Sequence, residues 1–398
     1  MVLSKKQEEG LRVAVARYKN NEKYTCIAGF AGTGKSTLIK FIVAALGVNP
    51  EEDVCYAAFT GKAATVLSEK GCPNAITAHK LLYHARPMPD GTYRFVKKNS
   101  IDYKIVIIDE VSMLPMSMWK ILLNYPNIYI IATGDPFQLP TINPEEDNHV
   151  LDNPHIFLDE IMRQAYDSEI IRLSMWIREG KTLKTFDGKG EQVKIFSPKE
   201  AVSGMYTWAD QILCATNDTR KKINDFMREQ KGYGIEPCIG DKIISLNNHW
   251  EALSWNNFAP LTNGTIGTIT DYRVEAKRVP PWVSRDKIDV MYTSFNIGDN
   301  DFFLDTAIDY KALKTGTPAL NPKQTYLLNK AAKSNPTNIS APFDFTYAYA
   351  ITTHKAQGSQ WDKVLVVEEG FPYKEEHARW LYTAITRASE KAVIISKD

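Results

Sequence analysis

Runs of consecutive apolar residues recur through the first third of the chain. Each ends in glycine or polar residues and is followed by the start of a helix. Tyr24-Thr-Cys-Ile-Ala-Gly29 passes through a glycine-rich turn into Leu38-Ile39-Lys40-Phe41-Ile42. Asp53-Val-Cys-Tyr-Ala-Ala-Phe59 passes through Thr60-Gly61-Lys62 into Ala63-Ala64. Tyr103-Lys-Ile-Val-Ile-Ile and Asn127-Ile-Tyr-Ile-Ile-Ala-Thr-Gly134 repeat the pattern. Runs without polar alternation suit strands covered on both faces. A repeat of strand, loop and helix predicts a parallel sheet, whose ligands collect at the carboxyl ends of the strands. Ahead of it, Ser4 is placed to cap a helix through Glu8, Leu11, Val15 and Tyr18, ending near Asn20-Asn21.

The pattern breaks twice. His84-Ala-Arg86-Pro87-Met-Pro89-Asp90-Gly91-Thr-Tyr93-Arg94-Phe95 sets a Pro/Asp-Gly turn between short extended arms, which reads as a hairpin. Its basic and aromatic residues suit contact with bases and phosphates, or equally a solvated hairpin. After a helix over 168–178 and a strand and helix around Gln211 to Asp218, the stretch from Pro237 to about Ser340 reads as short strands with tight turns. That is a small β-barrel-like insertion. Ser334 to Pro342 reads as the linker leaving it. Strand-and-helix patterning returns at Phe345–Ser359 and Trp380–Ala388.

A length of 398 residues implies two to four domains, and 44% hydrophobic with 24% charged residues is ordinary for a soluble globular chain. The net charge of +1 requires any nucleic-acid surface to be local. The polar N-terminus lacks the apolar core of a signal peptide, and the run Phe41 to Val48 is too short to span a bilayer, so no membrane partner is expected. Five scattered cysteines without metal spacing read as free thiols in a reducing cytosol.

The chemistry is densest at Gly29-Phe-Ala31-Gly32-Thr33-Gly34-Lys35-Ser36-Thr37, a complete phosphate-binding loop. Its backbone amides and the following helix N-terminus suit a triphosphate, Lys35 the terminal phosphates and Ser36 a Mg²⁺ ion. Asp109 and Glu110 close a buried strand, one suited to the metal and the other to taking a proton from attacking water. Gln138, in Gly134-Asp135-Pro-Phe-Gln-Leu-Pro140, is placed as an uncharged phosphate sensor or water-orienting amide. Thr60 and Lys62 should face the same side as Lys35. Gln7 suits adenine or plain solvated surface, and His79 suits a core position or a phosphate or base contact.

In order along nearly the whole chain, Gln7, the phosphate loop, Phe-Thr60-Gly-Lys-Ala-Ala, Thr77-Ala-His79, Ile-Asp109-Glu110-Val-Ser-Met, Gly-Asp-Pro-Phe-Gln138-Leu-Pro, Arg163-Gln, Thr-Thr353-His354-Lys-Ala-Gln357-Gly358 and Leu-Tyr-Thr-Ala-Ile-Thr386-Arg387 resemble the motifs of superfamily 1B helicases. The resemblance is to the RecD-like branch, with its small phage helicases of the Dda type. It implies an α/β fold of two RecA-like domains, 1–83 with 101–141 and 142–236 with 341–398. A hairpin pin at 84–100 and a small SH3-like barrel at 237–340 would be inserted.

The resemblance implies ATP and Mg²⁺ as cofactors, Gln7 on adenine, and residues 29 and 31–37 with Gly358 around the nucleotide. Ser36 and Asp109 would hold the metal, Glu110 would activate water, and Gln138, Arg163 and Arg387 would meet the γ-phosphate. Alone, Arg163 reads as an ion-pair residue and Arg387 as surface. Phe59, Thr60, Lys62, His79, Arg86, Tyr93, Phe95, Asn217, Thr353 and His354 would track or separate the strand, although Phe59 stands where many relatives have proline. The activity implied is 5′-to-3′ movement on single-stranded DNA with opening of duplex junctions. The protein would act as a monomer in a bacterial cytosol, phage-encoded or not, beside a single-strand-binding or replication protein. An RNA translocase, an ATP-gated binding switch and a phosphotransferase are the other readings open to a phosphate loop.

Overall fold

The computed structural model describes residues 3–87, 93–140, 144–188, 190–256, 260–298, 301–335, 338–371 and 373–397. The chain forms two bodies, one of residues 1–82, 98–217 and 351–398, the other of 83–97 and 218–350.

In the first body, helix Lys5–Lys19 begins with a closed capping box. Ser4 Oγ accepts the Gln7 amide and Gln7 Oε1 accepts the Ser4 amide. A six-stranded parallel sheet follows the order Ile76–Thr77, Val54–Ala58, Ile105–Ile108, Tyr129–Gly134, Tyr24–Gly29, Ile156–Leu158. Apart from Tyr24, its four central strands are buried throughout, as unalternating apolar runs require. Helix Lys35–Ala45 covers one face through Leu38, Ile39, Ile42 and Val43, each burial worth about 1.5–3 kcal/mol. The sequence reading ends the first domain at 141, and here it is corrected. Ile27–Gly29 pairs with Ile156–Leu158, a three-residue strand too short, with its middle Phe157 exposed, to announce itself by pattern.

A second sheet in the same body follows the order Ala350–Thr352, Gln211–Cys214, Trp361–Val367, Ala388–Ile395, Val193–Phe196, with the last four strands paired in parallel. Helix Lys374–Ile385 carries Glu375 and Glu376 in its first turn, where the helix dipole favours acids. Its last six residues, Trp380 to Ile385, are all buried. Burial all round a helix means cover on more than one face, and the contacts below supply it.

The second body contains the hairpin Tyr83–Pro87 with Tyr93–Lys97, paired antiparallel, and helix Asn217–Gln230, of which all but Asn217 belongs to it. The turn read at 88–92 lies outside the described residues. An antiparallel sheet follows the order Phe302–Asp309, Ile288–Asn296, Ile266–Lys277, Lys242–Ser245, Phe345–Tyr347. Two helices, Tyr310–Thr315 and Pro322–Ser334, interrupt the stretch read as strands alone. The second was signalled by Asn321-Pro-Lys-Gln324, which forms a capping box with Pro at the first turn. Residues 338–342, expected within a linker, are packed instead, together with Phe343. The Ala341 amide donates to Asn329 Oδ1, Phe343 N donates to the Ala307 carbonyl, and Ile339 joins the apolar cluster around Leu328. Phe345–Tyr347, read as part of the second RecA-like domain, pairs with Lys242–Ser245.

Candidate nucleotide site and strand-tracking residues

Gly34 caps helix Lys35–Ala45 with φ +77°, a left-handed conformation natural to glycine, and a Cβ there would lie 2.5 Å from Gln7 Nε2. No described side chain caps this helix, so its first amides point to the place a phosphate group takes at such a loop. Lys35 Nζ lies over the loop, donating to the carbonyls of Gly29 at 2.7 Å and Phe30 at 3.1 Å. Thr33 is buried and its hydroxyl donates to the Phe30 carbonyl.

Gln7 is not solvated surface. It is 1% exposed, its Oε1 takes the Ser4 amide, and its Nε2 donates to the carbonyls of Thr33 and Gly34 at 3.3 and 3.4 Å. An amide spent on the cap and the loop braces that loop.

The acids stand where the third strand of the sheet order ends. Asp109 Oδ1 accepts the Glu110 amide at 3.0 Å. Burial, then the neighbouring Glu110 charge, raises the Asp109 carboxyl above its ordinary range, against the pull of the Lys35 ammonium. Glu110 has φ +48°, strained for a residue with a Cβ, and such strain concentrates at functional sites. Its Oε1 accepts from Gln138 Nε2 at 3.4 Å, so the expected sensor amide and the expected base are brought together. Ser36 and Asp109 offer hard oxygen ligands. Among the described residues no cluster of three His, Cys, Asp or Glu exists.

Groups from the second sheet's side complete the site. Tyr382 Oη accepts the Ala31 amide at 2.9 Å and donates to Asp135 Oδ2 at 2.5 Å. Thr383 Oγ1 accepts the Leu139 amide at 2.9 Å, Gln357 Nε2 donates to the Leu139 carbonyl at 2.7 Å, and Arg379 Nη1 reaches the Pro136 carbonyl. The Arg178 guanidinium lies 3.5 Å from the centre of the Phe30 ring. None of these roles was read from sequence, although Asp135, Gln357, Tyr382 and Thr383 all stand inside quoted motifs.

Arg387 follows one turn beyond Thr383 and is 4% exposed, not the surface residue its sequence alone suggests. It donates to the carbonyls of Thr383 and Ser359 and to Thr386 Oγ1. Met162 N donates to the Gly32 carbonyl, which brings the backbone at Arg163 to the phosphate loop; the Arg163 side chain lies outside the described part. Gly358, expected beside the nucleotide, follows Gln357 and packs on the start of helix Gly61–Glu69. A Cβ there would meet Ala63 at 2.9 Å and Thr60 Oγ1 at 3.2 Å, so it is a close-packing glycine.

Of the strand-tracking residues, Phe59 and His79 form a tilted ring pair 5.7 Å apart, with the imidazole pKa lowered by burial. Thr60 Oγ1 caps helix Gly61–Glu69 by accepting the Ala63 amide, and Lys62 lies in that helix's first turn. Asn217 is exposed. His354 is half-buried, its pKa also lowered by burial. Thr353 is a correction: it is 0% exposed with its hydroxyl on the Cys214 carbonyl, so its side chain anchors the turn and does not face a strand. In the second body, Phe95 is 39% exposed and meets Tyr83 edge-on at 6.2 Å. The side chains of Arg86 and Tyr93 lie outside the described part.

Known proteins resemble this chain over most of its length. A model of the AAA domain matches residues 2–196 and one of the UvrD-like helicase C-terminal domain matches residues 347–395. The ATP-dependent DNA helicase dda of Enterobacteria phage T4 is 24% identical, over 97% of each chain. The ATP-dependent RecD2 DNA helicase of Deinococcus radiodurans is 26% identical over 97% of this chain, which spans 49% of that protein. Bacteroides Pif1 bound to ssDNA shares the fold, with a TM-score of 0.52 and 19% identity over 100% of this chain and 92% of that one. With motifs, fold and relatives in agreement, the chain belongs to the superfamily 1B helicases, ATP-dependent enzymes, in their RecD-like branch.

Proposed function

We propose that the protein moves 5′ to 3′ along single-stranded DNA and separates duplex at a junction, driven by ATP hydrolysis that alternately closes and opens its two RecA-like parts. One observation carries the reading: helix Lys374–Ile385, on the second sheet's side, is hydrogen-bonded to the phosphate loop through Tyr382 and to the Gln138 loop through Thr383. A triphosphate held there touches groups from both sheets. Losing its terminal phosphate removes the charge that an arginine from the second side answers, and the grip relaxes.

In this reading, Lys35 and the helix N-terminus hold the phosphates, Glu110 Oε takes the proton of the attacking water, and Gln138 orients both. Arg387, with Arg163, stabilises charge on the transferring group. Ser36 and Asp109 would hold Mg²⁺, which supplies electrostatic neutralisation of the phosphates when bound. Half-buried groups such as Phe59, His79 and His354, with the exposed Phe95, serve a strand bound without regard to sequence. The relatives named as DNA helicases support DNA over RNA.

Single-turnover unwinding of duplexes with a 5′ or a 3′ single-stranded tail tests this. Strand separation only from the 5′ tail is expected. Opening from the 3′ tail alone reverses the polarity, and hydrolysis without separation from either tail leaves a translocase or a switch. Stronger ATPase stimulation by RNA than by DNA would reassign the strand.

A further inference from the structure

We infer that Tyr382 is a positioning residue, whose hydroxyl links Ala31 to Asp135 and thereby sets helix Lys374–Ile385, and with it Arg387, against the phosphate loop. The inference rests on the reading of Arg387 as a γ-phosphate contact.

Tyr382 is 0% exposed, and its ring meets Phe137 edge-on at 5.2 Å. A phenylalanine would keep that packing without burying a hydroxyl, whose burial costs free energy unless it is bonded. The hydroxyl is bonded on both sides. It accepts the Ala31 amide from the loop after strand Tyr24–Gly29 and donates to the Asp135 carboxylate from the loop after strand Tyr129–Gly134. The phenol is the donor in that second bond, and burial, then the Asp135 charge, raises its pKa well above its ordinary value, while burial raises the Asp135 carboxyl too. Asp135 is 1% exposed, and its other donor is the Phe137 amide at 2.9 Å.

One residue on, Thr383 accepts the Leu139 amide, and the Thr383 carbonyl in turn receives Arg387 Nε at 3.2 Å. Two adjacent residues therefore fix both the height and the rotation of the helix over the first sheet's loops. Arg387 hangs from the second of them. Charge stabilisation by a guanidinium depends steeply on placement, and a displacement of about 1 Å can cost about 100-fold in rate.

The test compares Tyr382→Phe, Asp135→Asn and the double variant. It measures ATP hydrolysis with saturating single-stranded DNA, binding of a non-hydrolysable ATP analogue and thermal melting, with rates scaled to folded protein. Tyr382→Phe is expected to lower kcat by about tenfold or more while KM and analogue affinity move by less than about threefold, since the lost contact acts on the transition state. The double variant should lose no more than about the worse single, because both remove one linkage. A Tyr382→Phe kcat within about twofold of the parent, or losses that multiply in full, overturns the inference. Arg387→Ala is the control for the reading on which the inference rests. If it still hydrolyses, the underlying reading has failed; if it is inactive while Tyr382→Phe is normal, only the Tyr382 linkage has.

Discussion

Two buried charged sites, one in each body, are held in opposite ways. In the second body, Arg228 and Asp241 form an ion pair at 3.0 Å with side-chain exposures of 7% and 0%. Asp241 also takes the Tyr349 hydroxyl and the Cys238 amide, and the Arg228 guanidinium lies 4.2 Å from the Tyr347 ring centre. Every group answers another, and the result ties helix Asn217–Gln230 to the antiparallel sheet. In the first body Arg387 is as deeply buried, yet it donates to two carbonyls and a hydroxyl, and Asp135 is held by a phenol and an amide. Charges held by neutral dipoles keep their field for something else, whereas a neutralised pair has become scaffold. The difference separates a pair that holds structure from a cation left free to answer another charge.

The sharpest way to break that contrast is to remove the unneutralised charges. Lys35→Ala and Arg387→Ala should each lower DNA-stimulated kcat by about 1,000-fold or more, as loss of a phosphate-stabilising cation does elsewhere. Steady-state ATPase assays on folded variants decide it. Turnover near the parent rate in Arg387→Ala would show that its buried charge serves structure, and the comparison would collapse.

This division also governs what could be read in the sequence. Lys35, Asp109, Glu110 and Gln138 follow buried strands in a parallel sheet, and that topology alone sends them to one edge, so their placement was legible. Tyr382 and Asp135 lay in quoted motifs, but their pairing spans 247 positions in sequence and no local pattern encodes it. The bracing role of Gln7 was not drawn from sequence, because a capping box and a base reader want the same amide. Thr353 was misread because a threonine beside a histidine looks polar until its hydroxyl is seen on the Cys214 carbonyl. In the second body the strands were visible from turns such as Asn263-Gly264, while helix Pro322–Ser334 was missed despite its cap, being the exception in a stretch of strands.

The converse of the first experiment is to break the neutralised pair. Arg228→Ala leaves Asp241 buried without its cation and should destabilise the second body by about 3–5 kcal/mol. Urea denaturation followed by tryptophan fluorescence measures it, and a loss below about 1 kcal/mol would show that the pair carries little of the scaffold.

A smaller effect separates the bodies by function. Phe95→Ala removes an exposed ring from the hairpin, where base stacking is worth about 1–3 kcal/mol. Unwinding of a 5′-tailed duplex should fall by roughly threefold to tenfold while DNA-stimulated hydrolysis stays within about twofold, on that same stacking scale. Equal loss of both activities would take the separation role away from the hairpin.

The finest distinction concerns Gln7, because its amide touches the nucleotide site only through backbone. A base reader loses discrimination when removed, so its mutation should change the ratio of ATP to GTP use. A brace loses loop geometry instead, and phosphates are common to both nucleotides. Gln7→Ala removes one arm of the capping box and the two bonds to Thr33 and Gly34, an effect of about 1 kcal/mol on the helix start. It should raise KM for ATP and GTP alike by about threefold to tenfold, as lost ground-state binding does. A selective rise for ATP would return the residue to the base and would mean that the amide leaves the Ser4, Thr33 and Gly34 contacts when nucleotide binds.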